Sequence, residues 1–185
     1  DTQSFDEALR HAMREAPDVI MIGEIRDRET MQHAMAYAET GHLCLSTLHA
    51  NNANQAIQRI LNFYPETAHK QVLMDLSLNL KAVVGQRLIR GTAGKLVPAV
   101  EVMLLSPYIA DLIQKGQTDD IKDAMAKSTE QGMLTFDQSL YTLYQSGAIT
   151  AEQAVEFADS RTDLSLRIRL HTGQRPDTSS LQIKP

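Results

Sequence analysis

Asp18-Val19-Ile20-Met21-Ile22-Gly23-Glu24 is the stretch whose reading decides the fold of this chain. Four apolar residues of strand type run unbroken to a glycine and then an acid. Such a run suits a strand buried on both faces, as at the centre of a parallel sheet. A carboxylate just past the end of that strand lies where open α/β sheets bind ligands, outside the carboxyl edge. Glu24 is therefore the first candidate for a functional residue.

Working outward, Ser4-Phe5-Asp6-Glu7 forms a capping box for a helix that carries Ala8, Leu9, Ala12 and Met13 on one face. That helix stops near Pro17. Downstream, Arg26-Asp27-Arg28-Glu29 makes a charged turn, and Asp27 is placed to cap a helix over 28–39. Met31, Ala34, Met35 and Ala38 fall on one face of it, and Gly41 closes it. Leu43 to Leu48 then reads as a second strand, ending at His49. Strand, helix and strand in about thirty residues have the size of a βαβ unit, whose crossover is right-handed almost without exception. The two strands are parallel, about 4.8 Å apart if adjacent. Glu24 and His49 each follow the C-terminal end of a strand, so the topology alone puts them on one rim.

Asn51-Asn52 caps a helix over 53–63, broken at Pro65, and an amphipathic helix follows over 66–80. Val83 to Arg90 and Leu96 to Leu105 flank Gly91-Thr92-Ala93-Gly94 as an antiparallel hairpin. Past Ser106-Pro107 the strand signals stop, and helices are expected at about 107–115, 119–128, 135–146, 150–159 and 162–171. The sequence thus predicts an α/β part over 1–105 and a small helical subdomain over 106–171. Residues 172–185 lack periodicity, are rich in Ser, Thr, Pro and Gln, and are expected to be disordered.

With 185 residues, 43% hydrophobic and 22% charged, the chain has the composition of a globular domain large enough to bury a core. A net charge of −5 gives no electrostatic footprint for nucleic acid, so no nucleic-acid partner is expected. No apolar run approaches the roughly 18 residues that span a bilayer, and no secretory signal is seen. The one cysteine, Cys44, sits among apolar neighbours and reads as a buried, inert thiol, which suits a cytoplasmic compartment. The opening Asp1-Thr2-Gln3-Ser4 reads as mid-protein sequence, as in a fragment.

An acid at the end of a hydrophobic strand can polarise a water for attack on phosphorus, help hold a magnesium ion, or merely cap the next helix. Thr47 and His49 on the next strand would add a hydroxyl and an imidazole to the same crevice. A zinc site built from Glu24, His42 and His49 is the competing arrangement. Seven residues of extended chain separate the two histidines, about 20 Å at 3.3 Å each, too far for one ion.

Asp18-Val19-Ile20-Met21-Ile22-Gly23-Glu24-Ile25-Arg26-Asp27 resembles the atypical Walker B box of the secretion and twitching ATPases. Ala38-Glu39-Thr40-Gly41-His42 through Thr47-Leu48-His49 resembles their His box, in the right order and spacing. The lack of Cys-x-x-Cys pairs points to the PilT/PilU-like pilus-retraction branch, with the charged extension after 160 closest to its PilU-like accessory members. The resemblance covers about residues 1–160. It implies the C-terminal part of a RecA-like P-loop NTPase core, working as a homo-hexamer that hydrolyses ATP with Mg2+ for pilus retraction. It further implies a PilT-like partner ATPase, an inner-membrane platform protein, and a cytoplasmic location at the inner face of the bacterial inner membrane. By resemblance Glu24 matches the catalytic glutamate, and His49 the second His-box histidine, which senses the γ-phosphate. His42 matches the first, Arg26 lies in the Walker B turn, and Thr47 stands within the His box, all as nucleotide-binding candidates.

Three departures qualify this. Gly23 stands where a usual Walker B has its aspartate, so magnesium must rely on other groups. Pro107 to Lys115 aligns with a retraction motif, Ala-Ile-Arg-Asn-Leu-Ile-Arg-Glu, but Ala110 and Gln114 occupy its arginine positions. No Gly-x-x-x-x-Gly-Lys-[Ser/Thr] loop occurs in these residues, and it would lie upstream of Asp1. Two readings remain: half of an ATPase, or an accessory interaction module that depends on a partner ATPase.

Overall fold

The computed structural model describes residues 7, 11, 15 and 17–172, apart from the side chain of Glu130. The capping box at Ser4 and most of the helix expected after it fall outside the described residues, as does the tail beyond 172. Strand β1 (Val19–Glu24) pairs in parallel with β2 (Leu43–Thr47), and helix α1 (Arg28–Glu39) crosses between them. Asp27 caps α1 by accepting from the Thr30 amide at 2.8 Å. At its far end the amides of Gly41 and His42 return to the carbonyls of Ala38 and Tyr37, both at 3.1 Å. This Schellman closure needs the left-handed φ of 91° that Gly41 adopts without a Cβ penalty. Helices α2 (Ala53–Leu61), α3 (Glu66–Asn79) and α4 (Pro107–Gln114) follow in the same compact unit.

Burial on β1 corrects one expectation. Ile20 and Ile22 are buried, but Val19 and Met21 are 50% and 75% exposed, and Leu43 and Leu45 on β2 are exposed as well. The strand therefore has one covered face instead of two. The physical reason is that β1 and β2 are the whole of this sheet among the described residues, and a continuous apolar run carries no signal of how many layers cover it.

The chain divides into two compact units, 1–82 with 104–121 and 83–103 with 122–185. This is not a cut near 106. The hairpin of β3 (Ala82–Arg90) and β4 (Leu96–Leu104), whose five-residue link only permits antiparallel strands, packs with the later helices. Those are α5 (Ile121–Ala126), α6 (Phe136–Gln145), α7 (Ala151–Glu156) and α8 (Arg161–His171). In that unit Ile89 and Ala99 from the hairpin share one core with Phe136, Leu140, Ile149 and Leu164. Val102 exchanges backbone bonds with Leu134 at 2.8 and 2.9 Å, and Thr92 donates its hydroxyl to the Gly147 carbonyl at 2.8 Å. Arg87 reaches the Phe157 carbonyl and the Asp159 carboxylate at 2.7 and 2.6 Å while lying 3.8 Å over the Phe136 ring. The switch from strand to helix at 106 marks secondary structure, and side-chain packing divides the chain elsewhere. No helix among the described residues is long and apolar enough to cross a membrane.

Candidate active site at the end of the parallel strands

The register of β1 on β2 slips at its last step. Ile22 lies opposite Ser46, but Glu24 lies opposite Thr47, so Gly23 is the extra residue of a bulge. Residues opposite one another share a sheet face, so the slip moves Glu24 off the face of Ile20 and Ile22. Burial follows the same phase change: Ile20, Ile22 and then Ile25 are buried, not Glu24. The Thr47 hydroxyl ties the bulge by donating to the Gly23 carbonyl at 2.6 Å, and the Ile25 amide donates to the Thr47 carbonyl at 3.0 Å.

The carboxylate so presented is held on both oxygens. Arg26 donates from Nε to Oε2 at 2.6 Å, and its Nη2 lies 2.5 Å from the same oxygen. His49 Nε2 lies 2.9 Å from Oε1. An ionised carboxylate only accepts, so Nε2 carries the hydrogen of that contact. The Glu24 side chain is 22% exposed, against 76% for Arg26 and 83% for His49. Its pKa is lowered, first by the Arg26 hydrogen bond; burial opposes this as the next effect in size, and the charges of Arg26, His49 and Arg59 add to the lowering. Glu24 is thus an anion at neutral pH, with donors converging on it at a strand end. Such a group can accept a proton from a water or pair with a cation.

Thr47 reaches the rim but spends its proton on the bulge. His42 is not brought there. It precedes β2, with Nδ1 3.0 Å from the Thr40 hydroxyl and its ring edge-on to Tyr37. Among the described residues no group of three or more His, Cys, Asp or Glu is placed to hold a metal ion. Cys44 is half-buried, and burial raises its pKa, as suits an unreactive thiol.

The structure adds residues that the motif reading passed over. Beside His49 opens a hollow of about 490 Å³ lined by Asn51, Gln55, Gln58, Arg59 and Asn62. Asn52 caps α2 through the Gln55 amide at 2.9 Å, and Asn51 donates its side-chain amide to Gln55 Oε1 at 2.8 Å. These bonds fasten the loop that carries His49 to the helix behind it. The signal was present in the spacing, since Asn51, Gln55 and Arg59 recur every four residues directly after His49.

Comparison with known proteins bears on this geometry. Over 182 residues the chain is 59% identical to the type IV pilus ATPase PilU of Pseudomonas aeruginosa, covering 98% of the chain and 47% of that protein. It is 40% identical over 158 residues to the type IV pilus retraction ATPase PilT of the same organism, covering 85% of the chain and 46% of that protein. The crystal structure of the pilus retraction motor PilT with bound ADP superposes with a TM-score of 0.76 at 40% identity, over 88% of this chain and 46% of that one. The chain spans about half the length of these relatives. Residues 2–160 match the Type II/IV secretion system protein family, and the chain belongs to that family.

Proposed function

We propose that this chain is the C-terminal part of an ATPase that powers type IV pilus retraction, and that it carries the water-activating side of the active site. The observation behind this is the Glu24 carboxylate at a parallel strand end, held 2.9 Å from His49 Nε2. Glu24 takes a proton from a water whose oxygen attacks the γ-phosphorus of ATP, the bond to the bridging oxygen breaks, and ADP leaves. His49 stands where a donor meets the γ-phosphate, and Arg26 and Thr47 flank it. His42 belongs to this reading only through the motif. Mg2+ supplies charge neutralisation in such reactions, but Gly23 offers no ligand side chain and the described residues make no metal cluster, so no step runs through it here. The rest of the proposal follows the family: a homo-hexamer at the cytoplasmic face of the inner membrane, coupled to a platform protein and a PilT-like partner ATPase.

Replacing Glu24 with Gln in the full-length protein is expected to cut turnover by roughly 10²–10⁴-fold while nucleotide stays bound. Unchanged turnover in a phosphate-release assay refutes the assignment. A second reading, an accessory module leaning on a partner ATPase, draws support from α4. There Ala110 and Gln114 leave the motif without its arginines, and Lys115 pairs with Asp111 at 2.7 Å. Turnover that appears only after adding a PilT-like ATPase favours that module.

A further inference from the structure

The Glu24 carboxylate is crowded for a group that must receive a proton. Oε2 takes two donors from one guanidinium, and Oε1 takes the imidazole, leaving little acceptor capacity for a water. The guanidinium is also loosely held. Among the described residues every contact of the 76%-exposed Arg26 side chain runs to Glu24, so the group swings away at the cost of that one pair. An arginine fork binds phosphate oxygens in the same two-pronged manner as a carboxylate, and a polyphosphate offers more charge than one carboxylate does. The rim has room for such a ligand, because the hollow beside His49 is open and carries a further cation, Arg59.

We propose that Arg26 is a charge-exchange latch on Glu24: it occupies the carboxylate in the empty site, and an arriving polyphosphate draws the guanidinium off and frees the carboxylate to accept a proton. Arg26 is then a positioning residue whose partner reports whether the site is filled. The inference rests on the reading of Glu24 as the base, and goes beyond it by coupling its release to ligand arrival. The charged groups that face Glu24 are Arg26, His49 and Arg59, and of these only Arg26 meets it with two donors.

The test is a carboxyl-carbon NMR titration of Glu24 in the 185-residue chain, for the native sequence, Arg26→Ala and Arg26→Lys. Spectra are taken alone, with millimolar inorganic tripolyphosphate, and with sodium chloride of equal ionic strength. The native midpoint is expected to lie below that of Arg26→Ala, with Arg26→Lys between them. Tripolyphosphate is expected to raise the native midpoint by a larger step than it raises that of Arg26→Ala, and by more than the chloride does. Equal midpoints in the native chain and Arg26→Ala overturn the latch, and so does a tripolyphosphate step no larger than that of chloride. The lysine variant keeps the charge and guards against a misfolded alanine variant. Turnover of Glu24→Gln in the full-length protein decides the base reading separately, so either idea can fail without the other.

Discussion

Glu24 shows how the charge state of one residue is set by its neighbours' geometry. Its pKa is lowered, chiefly by Arg26, so the folded state holds its proton more weakly than the unfolded chain does. Stability from this carboxylate is therefore present above the unfolded pKa and fades as pH falls through the lowered folded value. At a surface site the contribution is small, because solvent and salt screen the pair. The expected outcome is a stability gap between the native chain and Glu24→Gln, measured by denaturant midpoint, that is open at neutral pH and closes on acidification. A gap that widens toward acid would mean that Arg26 and His49 do not hold the carboxylate in solution. High salt should narrow the same gap at neutral pH.

The elements themselves follow from local chemistry. Asp27, Asn52, Ser106, Thr135 and Thr150 each accept an amide of their helix's first turn, and all five sit just before an apolar-periodic run in the sequence. The βαβ unit and its common rim were legible for that reason. The bulge was not, because it depends on how β2 meets β1, although a glycine inside a strand pattern is its usual mark. Nor was the allegiance of the hairpin, which is decided by side chains far apart in sequence. On β3, Gly85 and Arg87 point the same way, one against the edge of Phe136 and the other over its face. A Cβ at residue 85 would lie 2.9 Å from Cζ of that fully buried ring. Gly85→Ala is therefore expected to destabilise the unit that holds the hairpin by about 1–3 kcal/mol. The denaturant midpoint should fall with little change in slope. A wild-type midpoint would show that the ring has room to shift.

At the scale of the whole molecule, the proposed function makes the described residues one rim of a nucleotide site. His49 and Arg59 line the open hollow, with Glu24 beside His49, but an NTPase gains most of its grip on phosphate from a glycine-rich loop and its lysine, and this sequence contains no such loop. The hollow is also lined mostly by polar groups, with Leu48 and Ala50 as its apolar residues, too few to bury a ligand's base. The donors that could meet phosphate, Arg26, His49 and Arg59, stand on an open surface and work against water and salt, where each pair contributes up to about 1 kcal/mol. Micromolar binding requires about 8 kcal/mol, which these groups do not reach together. The 185-residue chain on its own is therefore expected neither to hydrolyse ATP nor to bind it tightly. Isothermal titration calorimetry decides the point: micromolar affinity for ATP in this chain would mean that the rim binds the triphosphate without a phosphate loop. Weak binding here, together with tight binding in the full-length protein, would place the missing affinity in the part of the relatives that this chain does not span.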